Sequence, residues 1–158
     1  MSKKLKQLSV FLENKPGKVS QACRILADCG INIETMALAD TEQFGILRLL
    51  VKEWQRAKSE FERHNVIVKI SEVIAISVEH RPGGLASILE AMDDAQLNIE
   101  YVYGFSLVPS VLKDENNPVV NSSVSIFRFN NPDLAIEKIK ERGLTILGNM
   151  EIFGCEID

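Results

Sequence analysis

Residues 13–34 of the chain read ENKPGKVSQACRILADCGINIE, and residues 79–100 read EHRPGGLASILEAMDDAQLNIE. Pro16 recurs as Pro82 and Asn32 recurs as Asn98, so both motifs share one offset of 66 residues. The apolar residues between the motifs are spaced i, i+3, i+4, i+7, which is typical of the buried stripe of an amphipathic helix. They are Val19, Ala22, Cys23 and Leu26 in the first copy and Leu85, Ile88, Leu89 and Met92 in the second. A pattern of this length in a fixed register predicts two copies of one structural unit.

Strands are predicted on both sides of each repeated helix. Apolar residues alternate with period two before each Pro-Gly pair, at residues 8–12 and 74–78, which indicates strands with one buried face. The first copy continues with predicted strands at 31–38 and 44–51, a helix at 54–63 and a closing strand at 66–73. The second copy continues with strands at 97–107 and 124–129, a helix that Asn131 caps and Gly143 ends, and a last strand at 144–153.

The order of elements in each copy is therefore βαββαβ. Right-handed crossovers place both helices on one face of a four-stranded antiparallel sheet. We predict an α+β fold of two tandem ferredoxin-like plaits, covering residues 1–72 and 73–158. The second copy has about a dozen extra residues at 108–121, in the hairpin between its second and third strands. They form either an elongated surface hairpin or a flap over a site or a partner.

Composition limits the possible partners. The chain has 158 residues, of which 46% are hydrophobic and 25% are charged, which is typical of a soluble globular protein. A net charge of −4 argues against a surface for nucleic acid or anionic lipid. The N-terminal apolar run is too short for a signal peptide or a membrane span, so we expect a cytoplasmic protein. Three cysteines without a C-x-x-C motif predict buried thiols rather than disulfides or zinc.

The start of each repeated helix has polar groups that suit a small anion. Its first amides have no acceptor within the helix, and the positive end of the helix dipole favours a carboxylate. These amides belong to Gly17, Lys18 and Val19 in the first copy and to Gly83, Gly84 and Leu85 in the second.

Polar side chains near these amides have alternative interpretations. Asn32 and Asn98 each offer a donor and an acceptor for an amino group, or they satisfy the backbone of a turn. Asn14 contacts a ligand or caps the helix through the Gly17 amide, and the two roles are compatible. His80 is a ligand contact or an exposed loop residue. His64, on the surface near the end of a predicted helix, is given no role.

These motifs resemble the opening of ACT domains, small regulatory modules that bind amino acids in many enzymes of amino-acid metabolism. The chain is identified, over nearly its whole length, as a tandem pair of such domains, most similar to the ACT domain of bacterial phosphoglycerate dehydrogenase. The resemblance implies an effector at the interface between two ACT domains, held by the loop after the first strand and by residues leading into the second. Carried over by motif, the resemblance points to Asn14 and Asn32 in the first copy, and to His80, which replaces the loop asparagine, and Asn98 in the second. Together with the helix starts, the predicted ligand-binding residues are Asn14, Lys15, Gly17, Lys18, Val19, Asn32 and Ile33, and then His80, Arg81, Gly83, Gly84, Leu85, Asn98 and Ile99.

One departure limits what the resemblance says about the ligand. The serine-sensing domain of that family has a histidine two residues before its loop asparagine. This chain has Leu12 and Val78 at the two corresponding positions. The resemblance therefore does not name serine.

No pattern in the sequence indicates catalysis. It contains no nucleophile with a base and an orienting group, no phosphate-binding loop and no paired carboxylates in a predicted cleft. We therefore predict no catalytic residues, no metal and no cofactor. The expected function is a stand-alone, homodimeric sensor of a small amino acid, acting on an enzyme of amino-acid metabolism. The alternative is a dimerisation or scaffold module that binds no ligand and regulates a partner enzyme.

Overall fold

The computed structural model describes residues 2–105 and 122–157. This part of the chain forms strands and helices in the order β1 (Leu5–Glu13), α1 (Lys18–Asp28), β2 (Thr35–Asp40), β3 (Phe44–Leu50), α2 (Trp54–Arg63), β4 (Ile67–Glu79), α3 (Gly84–Asp94), β5 (Ile99–Phe105), β6 (Ser122–Phe129), α4 (Pro132–Glu141), β7 (Ile146–Leu147) and α5 (Asn149–Phe153). The extra residues predicted at 108–121 lie outside the described residues.

The chain divides into two compact units. The first unit comprises residues 6–71, and the second comprises residues 1–5 and 72–158. Strand β4 runs through the division between residues 71 and 72. We predicted two strands here, one closing the first copy and one opening the second, and that prediction was wrong. Residues 66–79 contain no Gly, Pro or Asn to turn the chain, so they continue as one strand.

The sheet of the first unit has the order β2-β3-β1-β4. Strand β3 pairs antiparallel with both β1 and β2, so that β1 and β2 run parallel to each other. Both helices cover the same sheet face, because residues from α1 and α2 share one core with alternate residues of the strands. That core consists of Leu8, Val10, Leu12, Ala22, Ile25, Leu26, Ile31, Leu47, Leu49, Val51, Ala57 and Phe61.

The second unit repeats this arrangement. Its strands have the order β5-β6-β4-β7, and the three pairings in this order are antiparallel. Helices α3 and α4 share a core with alternate strand residues, which consists of Ile74, Ile76, Val78, Ile88, Met92, Leu97, Phe127, Phe129, Ala135, Ile139 and Ile146. The predicted fold of two ferredoxin-like βαββαβ plaits is confirmed.

Two helices begin at the residues where they were predicted. Helix α2 has the predicted bounds, Trp54–Arg63. Helix α4 begins at Pro132, and the Asn131 side chain accepts a hydrogen bond from the Leu134 amide at 3.1 Å. Gly143 follows the helix with φ of 70°, a left-handed conformation that glycine adopts without strain.

The second strand of each unit begins later than predicted, because the preceding residues complete a helix. After α1, Gly30 is left-handed and the Ile31 amide donates to the Leu26 carbonyl at 2.9 Å. After α3, Gln96 takes the left-handed conformation and the Leu97 amide donates to the Met92 carbonyl at 3.0 Å. Both are hydrogen bonds of a Schellman-type helix end.

The predicted last strand is wrong beyond Leu147. Strand β7 is short, and helix α5 takes the place of its predicted continuation. The Glu151 carboxylate accepts a hydrogen bond from the Gly148 amide at 2.7 Å and pairs with Lys3 at 3.6 Å. These contacts stabilise the start of the helix, and Ile152 is buried on its inner side.

Several other predictions concern single residues or absences. The three cysteines are free and half-buried rather than fully buried. Leu85, predicted on the inner face of α3, is 42% exposed. Within the described ranges, no helix is long and apolar enough to span a membrane. The same residues contain no group of three or more His, Cys, Asp or Glu side chains arranged to hold a metal ion.

Candidate functional site

Each Pro-Gly turn places a left-handed glycine directly before a helix. Gly17 has φ of 87° before α1, and Gly83 has φ of 84° before α3. A residue with a side chain would be strained at either position. Neither helix has a hydrogen bond from a capping side chain, so the interpretation of Asn14 as a helix cap is wrong. The sequence folds the two turns alike and leaves both helix starts without a side-chain cap.

Two of the six amides predicted to be open are occupied. The Lys18 amide donates to the Lys15 carbonyl at 3.3 Å, and the Gly84 amide donates to the Arg81 carbonyl at 3.0 Å. In the described part of the chain, the remaining four amides make no hydrogen bond. They belong to Gly17, Val19, Gly83 and Leu85.

Asn14 connects its turn to the β2–β3 hairpin. Its backbone amide donates to the Gln43 carbonyl at 3.0 Å, and its side-chain amide reaches the Glu42 carbonyl at 3.5 Å. Asn14 is itself exposed. The structure therefore gives its side chain a contact within the protein that the sequence did not indicate.

An ion pair spans each turn. Glu13 contacts Lys15 at 2.7 Å, and Glu79 pairs with Arg81 at the corresponding place in the second unit. The hydrogen bond and charge of Lys15, and then the charge of Lys18, lower the pKa of Glu13 below its ordinary value. The contact with Glu13 raises the pKa of Lys15. Glu13 is therefore an ionised carboxylate at neutral pH, beside two cationic side chains.

The strand register separates the two asparagines of the first unit. Glu13, at the end of β1, lies opposite Phe44, whereas Thr35, at the start of β2, lies opposite Leu50 at the other end of β3. Asn14 follows β1 and Asn32 precedes β2, so they lie at opposite ends of the sheet. The 11 residues of α1 separate them, a length of about 16 Å.

The residues leading into the second strands are exposed or half-exposed. Among the described residues, the Asn32 side chain donates one hydrogen bond, to the Glu34 carboxylate at 3.5 Å. Ile33 and Ile99 are half-buried, and Asn98 is exposed. Asn98 lies at the opposite end of its sheet from His80, because Ile99 pairs with Phe129 while Glu79 pairs with Ser122. One unit by itself therefore does not bring its two sets of predicted residues together.

A cavity of about 570 Å³ lies at the Pro-Gly end of the first unit. It is lined by the end of β1, the first turns of α1, the start of β3 and the turn from α2 into β4. The lining residues are Phe11, Leu12, Glu13, Lys18, Gln21, Phe44, His64, Asn65, Val66 and Ile67. Of the predicted site residues, Lys18 lines this cavity.

The aromatic and histidine side chains of this cavity were not predicted from the sequence. His64 was expected to have no role. Phe11 lies between the inward-facing Val10 and Leu12, so its strand position faces outward and a polar residue is expected there. An aromatic residue at such a position is the sequence signal that could have identified Phe11.

The second unit has a smaller cavity, of about 340 Å³, beside its Pro-Gly turn. Its lining consists of Val78, Glu79, His80, Arg81, Pro82, Leu85 and Ser123. Three predicted site residues, His80, Arg81 and Leu85, therefore lie together here. Both side chains of the Glu79–Arg81 ion pair are largely exposed, so the pair leaves polar atoms accessible to solvent.

A family profile described as an ACT domain pair matches residues 3–154 of the chain. The chain belongs to the ACT domain pair family. The tandem ACT organisation predicted from the repeated motifs is thereby confirmed. No protein of curated function matches the sequence.

Solved structures support the same fold. This ACT domain pair is similar to protein BT0572 from Bacteroides thetaiotaomicron, with 30% identity and a TM-score of 0.83 over 97% of this chain and 98% of that one. The regulatory subunit of aspartate kinase from Thermus thermophilus is 14% identical, with a TM-score of 0.58 over 87% and 91% of the two chains. The corresponding subunit from Thermus flavus is 13% identical, with a TM-score of 0.59 over 89% and 93%. The latter two likenesses concern the fold alone.

Proposed function

We propose that this ACT domain pair is a regulatory protein that binds a free amino acid and catalyses no reaction. The observation that carries the proposal is the repeated arrangement at the Pro-Gly turns. In each unit a helix without a side-chain cap begins beside a cavity, of about 570 Å³ in the first unit and about 340 Å³ in the second. Both volumes fall within the usual range of small-molecule sites, about 300–1,000 Å³. We propose that residues 1–72 and 73–158 are the two ACT domains.

The charges at these turns suit a zwitterion. An amino acid presents a carboxylate that needs donors or a cation, and an ammonium group that needs acceptors. In the first unit Lys18 and Glu13 line the cavity, and in the second unit Arg81 and Glu79 do so. Each cavity therefore has one side chain of each sign.

The proposed site takes residues from two ACT domains. Because Asn14 and Asn32 lie at opposite ends of one sheet, a ligand that touches a Pro-Gly turn and a second-strand asparagine needs another ACT domain. We place that second contribution on another copy of the chain, in a homodimer. The residues that we propose to bind the ligand are the same in each chain. They are Asn14, Lys15, Gly17, Lys18, Val19, Asn32 and Ile33 in the first ACT domain, and His80, Arg81, Gly83, Gly84, Leu85, Asn98 and Ile99 in the second.

The proposed output is a change in assembly, or in contact with an enzyme of amino-acid metabolism in the cytoplasm. The likeness in fold to regulatory subunits of aspartate kinase is consistent with such a role. Pull-down of an enzyme in the presence and absence of the bound amino acid tests this output. Recovery that does not depend on the amino acid contradicts it.

Thermal unfolding of the whole chain with each of the twenty amino acids tests the binding proposal. A ligand at 100 times its Kd adds about 2.7 kcal/mol to the free energy of unfolding. We expect at least one amino acid to raise the melting temperature at millimolar concentration. Its carboxamide derivative is the control, because it lacks the carboxylate and is expected to give a smaller shift. The absence of a shift with all twenty contradicts the proposal.

The alternative, a dimerisation module without a ligand, is favoured by one observation. Strand β2 lies at the edge of its sheet, and its side chains Met36 and Leu38 are 44% and 51% exposed. Exposed apolar side chains on an edge strand suit pairing with another chain. This alternative predicts self-association of the chain and no response to any amino acid.

A further inference from the structure

Two exposed phenylalanines distinguish the cavity of the first unit. Phe11 lies opposite Ile46, and Phe44 lies opposite Glu13, so the two rings are diagonal neighbours on one face of strands β1 and β3. Phe11 is 38% exposed and Phe44 is 55% exposed, and both line the cavity. Aromatic surface left open beside a cavity suits the apolar part of a ligand.

The second unit lacks this pair of rings. By the repeat offset, the counterpart of Phe11 is Ser77. Because Glu79 lies opposite Ser122, as Glu13 lies opposite Phe44, Ser122 takes the position of Phe44. The cavity of the second unit is also smaller, and His80 and Arg81 line it. The two cavities therefore differ in the chemistry they offer, although the turns beside them are alike.

The polar groups of the first cavity lie at its Pro-Gly end and at the end of α2. Among the described residues, the Lys18 ammonium forms no ion pair. The His64 Nδ1 lies 2.8 Å from the Glu60 carbonyl oxygen, which can only accept, so Nδ1 carries a hydrogen and Nε2 is left for other contacts. Together with Glu13, these groups give the cavity one cation, one carboxylate and an imidazole.

We propose that the first ACT domain binds an amino acid with a large apolar side chain. The side chain packs against Phe11 and Phe44, the carboxylate pairs with Lys18, and the ammonium group pairs with Glu13. This inference rests on the proposed function, and it adds the class of ligand and the domain that binds it. Small or charged side chains leave the two rings uncovered, so they bind more weakly.

Calorimetric titration of the whole chain tests the ligand class. The probes are L-phenylalanine, L-leucine and L-methionine, compared with glycine, L-serine and L-aspartate. We expect the first three to bind at least about tenfold more tightly than the others, because burying one large apolar side chain corresponds to about one to two tenfold changes in Kd. Tighter binding of glycine, serine or aspartate overturns the inference.

Variants that carry the residues of the second copy test the location. Phe11→Ser and Phe44→Ser each weaken the binding of L-phenylalanine about tenfold or more, because each removes ring contact with the ligand. Leu134→Ser is the matched control, since Leu134 is 42% exposed on α4 and lines neither cavity. Melting temperatures without ligand check folding. Phe44→Ser serves alone if Phe11→Ser fails to fold, because Phe44 is the more exposed ring.

The role of Lys18 is tested with a ligand that lacks the carboxylate. We expect Lys18→Gln to weaken the binding of L-phenylalanine about tenfold, which is the loss expected for one charge-assisted hydrogen bond. The affinity for phenethylamine, which has no carboxylate, should stay unchanged. Equal weakening of both compounds contradicts the assignment of Lys18.

The outcomes separate this inference from the proposed function. If amino acids bind but the two serine variants keep the affinity of the unsubstituted chain for L-phenylalanine, the inference is wrong and the proposed function stands. If none of the twenty amino acids binds, the proposed function fails and the inference fails with it.

Discussion

At the scale of single residues, the two Pro-Gly turns differ at the residue after the glycine. The first copy has Lys18 there and the second has Gly84. A Cβ atom on Gly84 would overlap the Glu79 carbonyl oxygen, whereas Lys18 carries a Cβ at the corresponding position. The Glu79 carbonyl, at the end of β4, therefore lies closer to the start of α3 than the end of β1 lies to the start of α1. Repetition in the sequence did not indicate this difference, because it depends on the path of the backbone.

We expect Gly84→Ala to lower the free energy of unfolding by about 1–3 kcal/mol, as in overpacked sites. Lys18→Ala, at the same position of the repeat, is expected to stay within about 0.5 kcal/mol of the unsubstituted chain. Chemical denaturation of the two variants measures both values. Equal stability of the two variants would show that the close approach at Gly84 has no energetic consequence.

The side chains of the candidate site were only partly predictable. The repeated Pro-Gly turn identified Lys18, His80 and Arg81, because turn chemistry is local in sequence. Phe44 reaches the first cavity from β3 and His64 from the turn after α2, and only the packing of these elements around the Pro-Gly turn brings them there. Their roles therefore could not be inferred from spacing along the chain.

At the scale of secondary structure, elements with signals at their ends were predicted best. Helix α4 has a capping asparagine, a proline at its first position and a glycine after its end, and its start was predicted to the residue. Strand β4 and helix α5 were not predicted, since the apolar patterns at residues 66–79 and 144–153 do not by themselves mark where a strand stops.

Glu151 is expected to stabilise helix α5. Burial raises the pKa of Glu151. Hydrogen bonds from the backbone amides of Glu151 and Gly148, together with the charge of Lys3, lower this pKa by more. The pKa of Glu151 therefore lies below the ordinary value of 4.5. A carboxyl group with a lowered pKa stabilises the fold above the pKa it has when unfolded, and that stabilisation is lost as the pH falls through the folded value. Glu151→Gln should therefore cost about 1 kcal/mol at pH 7.

Denaturation of Glu151→Gln as a function of pH measures this effect. The difference from the unsubstituted chain should shrink as the pH falls below 4.5. Glu137→Gln is the control, because Glu137 is exposed on α4. A difference that stays constant down to pH 3 would contradict the assigned role of the carboxylate.

At the scale of the whole molecule, the repeated sequence predicted two ACT plaits but not where the predicted site residues lie in them. The strand register puts Asn14 and Asn32 at opposite ends of one sheet, and the register emerges only when the strands pair. A site that uses both ends therefore requires a second ACT domain, which is why the proposed function includes a homodimer.

We expect the free chain to sediment as a dimer at micromolar concentration. Leu38→Lys should shift it toward the monomer, because a charge on the exposed face of edge strand β2 opposes pairing. Leu134→Lys, a substitution at an exposed position of helix α4, is the control. Sedimentation of the unsubstituted chain as a monomer would contradict the homodimer.

An amide nuclear magnetic resonance titration of the whole chain with the twenty amino acids tests directly whether the Pro-Gly turns bind an amino acid. We expect at least one amino acid to shift the amide signals of the Pro-Gly turns, those of Gly17 to Val19 or of Gly83 to Leu85. Amino-acid binding at the turns is contradicted if no amino acid shifts these signals at millimolar concentration, or if the shifts lie only at residues remote from both turns.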